Sequence, residues 1–122
     1  MCIRDRLDTD TTPASFWITF PTNYFINNTA AGSERYGFWF DLQKHPTGPS
    51  ADNSICPPGE PLGSFEDNTA HSNVRYGFRV FNQWVPVDGS ACSWSSASAQ
   101  ANPRTAELLR FTSYKNGRTG AF

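Results

Sequence analysis

Short aromatic runs punctuate an otherwise polar chain, and they recur at a fixed distance. Phe25-Ile26 and Ser64-Phe65 each open a short strand, while Phe38-Trp39-Phe40 and Phe78-Arg79-Val80-Phe81 predict the longest ones. Sliding the chain by 40 positions lays Asn28-Thr29-Ala30 on Asn68-Thr69-Ala70. The same shift lays Arg35-Tyr36-Gly37-Phe38 on Arg75-Tyr76-Gly77-Phe78. A weaker third copy follows at an offset of 43, where Thr112, Asn116, Arg118 and Gly120 match Thr69, Asn73, Arg75 and Gly77.

A spacing near 40 points to helical arrays, propellers or interrupted solenoids. Helical arrays are excluded by the Asn, Thr, Gly and aromatic content of the unit, and a propeller by the missing Gly-His and Trp-Asp signatures. The similar part of each unit is about 20 residues, a length that fits one rung of a parallel β-helix. The rest is Pro/Ser/Gly-rich insertion, roughly 43–60 and 82–105. Asn28 and Asn68 are expected to turn the chain, since Asn tolerates unusual backbone angles. Ala30 and Ala70 suit a crowded interior, and Gly37, Gly77 and Gly120 suit bends that a Cβ would block. Equivalent residues would stack about 4.8 Å apart. Tyr36 over Tyr76 and Phe38 over Phe78 then form aromatic columns, and Asn28 over Asn68 an amide ladder. Leu109-Arg110 closes an Ala-Glu-Leu-Leu stretch that reads either as a helical turn or as the start of the third rung. The predicted class is all-β: an incomplete parallel β-helix domain over residues 13–122, about three rungs with two long insertions. Open ends of parallel strands predict poor solubility in isolation.

Composition supports this reading. Leu, Ile, Val and Phe total 23 of 122 residues, low for a folded domain, but a net charge of −1 argues against disorder. Aromatics at 15% supply buried area instead. Near-zero net charge excludes a nucleic-acid tail or a polybasic membrane patch, and no apolar run approaches the length of a membrane span. Met1-Cys2-Ile3-Arg4-Asp5-Arg6 has no signal-peptide pattern and reads as translated adapter sequence. Residues 1–12 are set apart as a non-native or disordered leader, and a stop two residues after Gly120 suggests a piece of a longer protein.

Several runs resemble the β-helix region of the fibrocystin-L and cell-migration-inducing hyaluronan-binding protein family. They are Asn28-Thr29-Ala30-Ala31-Gly32-Ser33-Glu34, Gly37-Phe38-Trp39 and Pro46-Thr47-Gly48-Pro49-Ser50, then Pro61-Leu62-Gly63, Ala70-His71-Ser72-Asn73, and Tyr114-Lys115-Asn116 with Gly120-Ala121. They keep the family's order across most of residues 14–122. The resemblance implies a right-handed parallel β-helix within a large extracellular, membrane-anchored or ciliary-surface protein, flanked by other domains of the same chain, including G8. Phe20-Pro21-Thr22-Asn23 departs from the Asn-Pro start usual there, and the second insertion, with Trp84 and Trp94, departs as well.

Candidate chemistry is sparse. No catalytic constellation emerges, and neither a metal nor a cofactor is called for. His45 and His71 lie 26 apart without Cys or His at ligand spacing; His71 reads as a packing residue and His45 as solvated. Glu34, Asp41, Glu66 and Asp67 are available carboxylates, but glycoside hydrolysis needs two held about 5–9.5 Å apart. Glu66-Asp67 reads as a solvated salt-bridging edge. Arg35, Arg75 and Arg118 share one repeat position. Such a column suits an anionic glycan, because guanidinium forks match carboxylates, and Tyr36 and Tyr76 beside it suit stacking on sugar rings. The alternative is an outward column paired with Glu34, Glu66 or Asp67. Cys56 and Cys92 sit one in each insertion; a disulfide between them, free thiols and partners elsewhere all remain open. Asn27-Asn28-Thr29 is a glycosylation sequon that places the acceptor at Asn27. The first functional reading is a non-catalytic extracellular β-helix segment binding a glycan such as hyaluronan, or a cell-surface partner. The rivals are part of a polysaccharide-degrading enzyme and a structural spacer.

Overall fold

A computed structural model describes residues 10–87, 92 and 103–122. Cys2, Trp94 and most of the leader lie outside them. The described residues are all-β, with nine strands and no α-helix. The strands are β1 (Ala14–Ile18), β2 (Phe25–Ile26), β3 (Thr29–Ala31), β4 (Tyr36–Asp41), β5 (Phe65–Glu66), β6 (Thr69–His71), β7 (Tyr76–Phe81), β8 (Thr112–Tyr114) and β9 (Thr119–Ala121). They form three parallel sheets, ordered β1-β4-β7-β9, β2-β5 and β3-β6-β8. Each of the two closely matching copies sends one strand to each sheet, an arrangement consistent with a β-helix.

The register is the sequence repeat itself. Phe25 pairs with Phe65, Thr29 with Thr69 and then Thr112, and Tyr36 with Tyr76 and then Thr119. One start shifts by a residue: Phe65-Glu66, not Ser64-Phe65, lies opposite Phe25-Ile26. The Ala-Glu-Leu-Leu stretch makes no helix. Leu109 bridges Glu66 in parallel, so the stretch opens the third copy.

The corners correct another expectation. The left-handed residue is not Asn28 or Asn68 but the one before it: Asn27, Asp67 and Arg110 hold φ of 56°, 54° and 51°. A second corner repeats at Gly32, Ser72 and Lys115, with φ of 74°, 57° and 50°. Asn28 and Asn68 follow the first corner with their amides. Asn68 Oδ1 accepts from the Asn28 backbone N–H at 2.9 Å and from its side chain at 3.2 Å, while Asn68 Nδ2 donates to the Phe25 carbonyl at 2.7 Å. Buried polar atoms need such partners, and Asn68 is fully buried.

The interior is aromatic because the aliphatic supply is small. Phe38, Phe40, Phe65 and Phe78 are buried with Ile18, Ala30, Leu42 and Ala70, and Phe16, Phe25 and Phe111 pack against them. Phe38 and Phe65 meet edge-to-face at 5.0 Å, and Phe16 and Phe38 stack at 4.8 Å. Burying each such ring stabilises by about 2–3 kcal/mol. Gly37 and Gly77 are required by close approach: a Cβ on Gly37 would lie 2.5 Å from the Gly77 carbonyl oxygen, and one on Gly77 would lie 2.6 Å from that of Gly120.

The insertions lie against one another. Val85 and Val87 N–H groups donate to the carbonyls of Pro58 and Gly59. Trp84 stacks on Phe40 at 5.7 Å and donates its indole N–H to Glu60 at 2.9 Å. Cys56 and Cys92 are joined in a disulfide with Cα atoms 5.0 Å apart.

Candidate functional site

The β1-β4-β7-β9 sheet turns Phe38 and Phe40 inward and carries Trp39 and Asp41 on its other face. There Trp17, Trp39 and Arg79 lie in one row across β1, β4 and β7. Trp17 stacks on Trp39 at 5.9 Å and is 66% exposed. Tyr36 and Tyr76 stack at 5.8 Å beside this row. Both phenols are buried, so Trp17 rather than either tyrosine presents an open ring. The Arg79 guanidinium covers Tyr76 at 4.8 Å and sits within 5.7 Å of the Tyr36, Phe81 and Phe122 ring centres. That cage fixes a cation by attraction to the ring faces.

Arg35, Arg75 and Arg118 adjoin the cage. Their backbones stack, the Arg75 N–H donating to the Arg35 carbonyl at 3.0 Å and the Arg118 N–H to that of Arg75 at 2.8 Å. Arg118 acts on the Tyr76 hydroxyl most strongly, and the charges of Arg79 and Arg75 act on it as well. Together they hold the phenol below the ordinary tyrosine range despite its burial. One guanidinium thus lies over this ring, and two more arginines leave the chain beside it. Sequence reasoning missed Arg79 because Trp39 occupies its position in the preceding copy; the Arg inside an aromatic strand was the available signal.

Glu66 and Asp67 are engaged elsewhere. Arg110 donates to Asp67 at 2.6 and 3.0 Å and to Glu66 at 3.2 Å. Asp67 and Arg110 are successive occupants of the first left-handed corner, so the pair runs along the column rather than across to Arg75. Arg110 holds the Asp67 carboxyl below its usual range. A depressed carboxyl stabilises the fold above its unfolded value, and that contribution is lost as pH falls through the folded value. Arg110→Gln is expected to make the loss of stability less steep as pH falls through and below the ordinary carboxylate range, with a small stability loss at pH 7. Thermal melts across that range check it; an unchanged acid limb would remove the pairing.

Asp41 takes the Trp17 indole N–H at 3.2 Å and the Gln43 amide at 2.8 Å. His71 stacks on Tyr114 at 4.9 Å and meets the Ser72 hydroxyl at 3.0 Å. His45 is half-buried rather than solvated, and its Nδ1 lies 3.1 Å from the Ile55 carbonyl and 3.6 Å from Cys56 Sγ. With Cys92 these atoms fall within 4.8 Å of one another, a proximity that the ligand spacing in sequence concealed. The disulfide occupies both sulfurs. Asn27 is exposed at its corner.

A family profile described as CEMIP beta-helix matches residues 2–78. The chain belongs to this CEMIP β-helix family. Mouse fibrocystin-L is 42% identical over 87 residues, 71% of this chain and 2% of that protein. The mouse cell migration-inducing and hyaluronan-binding protein is 39% identical over 127 aligned positions, 89% of this chain and 9% of the relative. Human cell surface hyaluronidase CEMIP2 is 34% identical over 126, with the same shares. The chain thus spans a small part of the curated relatives it matches. Two of those relatives carry hyaluronan in their names, by binding or by hydrolysis.

Proposed function

We propose that residues 13–122 form about three rungs of a right-handed parallel β-helix in a large extracellular or cell-surface protein. In this reading the segment binds an anionic glycan such as hyaluronan and does not cleave it. The stacked column of Arg35, Arg75 and Arg118, beside the Arg79 guanidinium over Tyr76, carries the proposal. Like charges so placed repel by about 1 kcal/mol per pair in water, and a polyanion relieves that cost. Arginine forks match the carboxylates that recur along such a polymer. The relatives named for hyaluronan support the choice of glycan. Their much greater length supports further domains of the same chain on either side, which would hold any catalytic groups.

Replacing Arg35, Arg75 and Arg118 together by Gln is expected to weaken hyaluronan binding at least about tenfold, since hydrogen bonds to charged groups contribute roughly 1.5–3 kcal/mol each. Calorimetric titration of the full chain with hyaluronan oligosaccharides checks this. Unchanged affinity would remove the proposal. Cleavage abolished by the same replacement would place the column in a degrading enzyme, and neither binding nor cleavage would leave a spacer.

A further inference from the structure

Asn116-Gly117 is the single Asn-Gly pair in the sequence. In such a pair the glycine nitrogen can attack the asparagine side-chain amide unhindered by a Cβ. Packing forces the pair on the chain. Asn116 takes the ladder position that Ser33 and Asn73 hold in the preceding copies, and Gly117 follows it where Glu34 and Val74 stand. A Cβ on Gly117 would collide with the Val74 carbonyl oxygen, so no branched residue can shield the Asn116 amide. The fold instead occupies both reacting groups. The Gly117 N–H donates to the Asn73 carbonyl at 2.9 Å. Asn116 Oδ1 accepts from the Asn73 backbone N–H at 3.2 Å and from its Nδ2 at 3.0 Å. Asn116 Nδ2 donates to the Ser113 hydroxyl at 2.8 Å and to the Ala70 carbonyl at 3.3 Å. Attack requires Gly117 to leave Asn73 and the amide to leave the ladder.

We infer that Asn116 is a deamidation site, shielded while the third copy is closed and reactive when it opens, and that conversion bars the copy from closing again. Hydroxide removes the Gly117 amide proton, and the nitrogen bonds to Asn116 Cγ. The Cγ–Nδ2 bond breaks, and ammonia leaves with a proton from water. Water then opens the cyclic imide at either carbonyl, leaving aspartate or isoaspartate. Both products lose the donors to Ser113 and Ala70 and set a carboxylate against the Ala70 carbonyl. Isoaspartate also inserts a methylene into the backbone between β8 and β9, where Thr112 and Thr119 must meet Thr69 and Tyr76 in register. The inference does not depend on the glycan.

The test incubates the full chain at neutral pH in buffer and in denaturant, with conversion followed by peptide mapping and by enzymatic methylation of isoaspartate. Asn116 is expected to convert at least about tenfold more slowly in buffer, because modification through an open state tracks how rarely that state forms. Asn73, followed by the branched Val74, should keep its amide far longer than Asn116 in denaturant. Asn73→Ser places the first copy's residue in the second and removes one donor to Asn116 Oδ1. It is expected to speed conversion in buffer and to leave the rate in denaturant unchanged. The converted chain, separated by its added negative charge, should unfold at lower denaturant than the unaltered one. Equal rates in buffer and denaturant overturn the shielding even if Asn73→Ser misfolds, and no conversion in denaturant overturns the site. An unchanged rate for folded Asn73→Ser in buffer removes the ladder as the shield. Coincident unfolding midpoints for the converted and unaltered chains overturn the barred closure.

Discussion

Removing the Cys56–Cys92 bridge lowers stability by up to about 4 kcal/mol. The two cysteines are 36 positions apart, and closing a loop of that length restricts the unfolded chain by roughly that amount. Among the described residues, backbone hydrogen bonds from Val85 and Val87 and the Trp84 indole on Glu60 join the second insertion to the first, and Trp84 packs over Phe40 of β4. Without the bridge, Trp84 leaves Phe40 more readily, and the edge of the aromatic interior meets water. Denaturant midpoints of the unaltered chain and of a Cys56→Ser, Cys92→Ser double variant measure the effect. A coincident midpoint, or two titratable thiols at these positions in the unreduced chain, would refute it. Glycan affinity should survive the change, because the arginine column lies at a different corner of each repeat.

The repeat made most of the backbone arrangement legible, for a physical reason. Parallel strands at fixed register demand that like positions meet, so Tyr36 against Tyr76 and Thr69 against Thr112 follow from offsets of 40 and 43 alone. What the repeat hides is what differs between copies. Arg79 answers Trp39 and Arg110 answers Asp67, and these mismatched columns supply the cation cage and the ion pair. The same masking applies to the corners. Asn, Asp and Arg share a left-handed backbone at the first of them, although Arg, unlike Asn and Asp, has no intrinsic preference for it. There the hydrogen bonds of neighbouring copies outweigh local preference. The insertions carry no repeat, so the approach of His45 to Cys56 had no signature in spacing.

Asn73→Leu is expected to be as damaging as loss of the bridge, at about 4 kcal/mol. Asn73 is 2% exposed, and its side chain serves three neighbours. Its Oδ1 accepts from the Ser33 backbone N–H at 3.1 Å, and its Nδ2 donates to the Ala30 carbonyl at 3.2 Å and to Asn116 Oδ1 at 3.0 Å. Leucine keeps the approximate volume and leaves those groups without it; each buried unmatched group costs about 1–3 kcal/mol. Relaxation is limited, because Gly37 approaches so closely that even a Cβ there would lie 2.9 Å from Asn73 Nδ2. Asn116→Leu, at a partly exposed position, should cost less. Equilibrium unfolding of both variants, with amide exchange at Ser33 as the local report, separates the cases: exchange at Ser33 should accelerate in Asn73→Leu and stay near normal in Asn116→Leu. The consequence reaches the arginine face. The Val74 N–H donates to the Ser33 carbonyl and the Arg75 N–H to that of Arg35, so the amide ladder fixes the corner from which both arginines leave. A folded Asn73→Leu chain that binds hyaluronan as tightly as the unaltered one would show that the column does not depend on that corner.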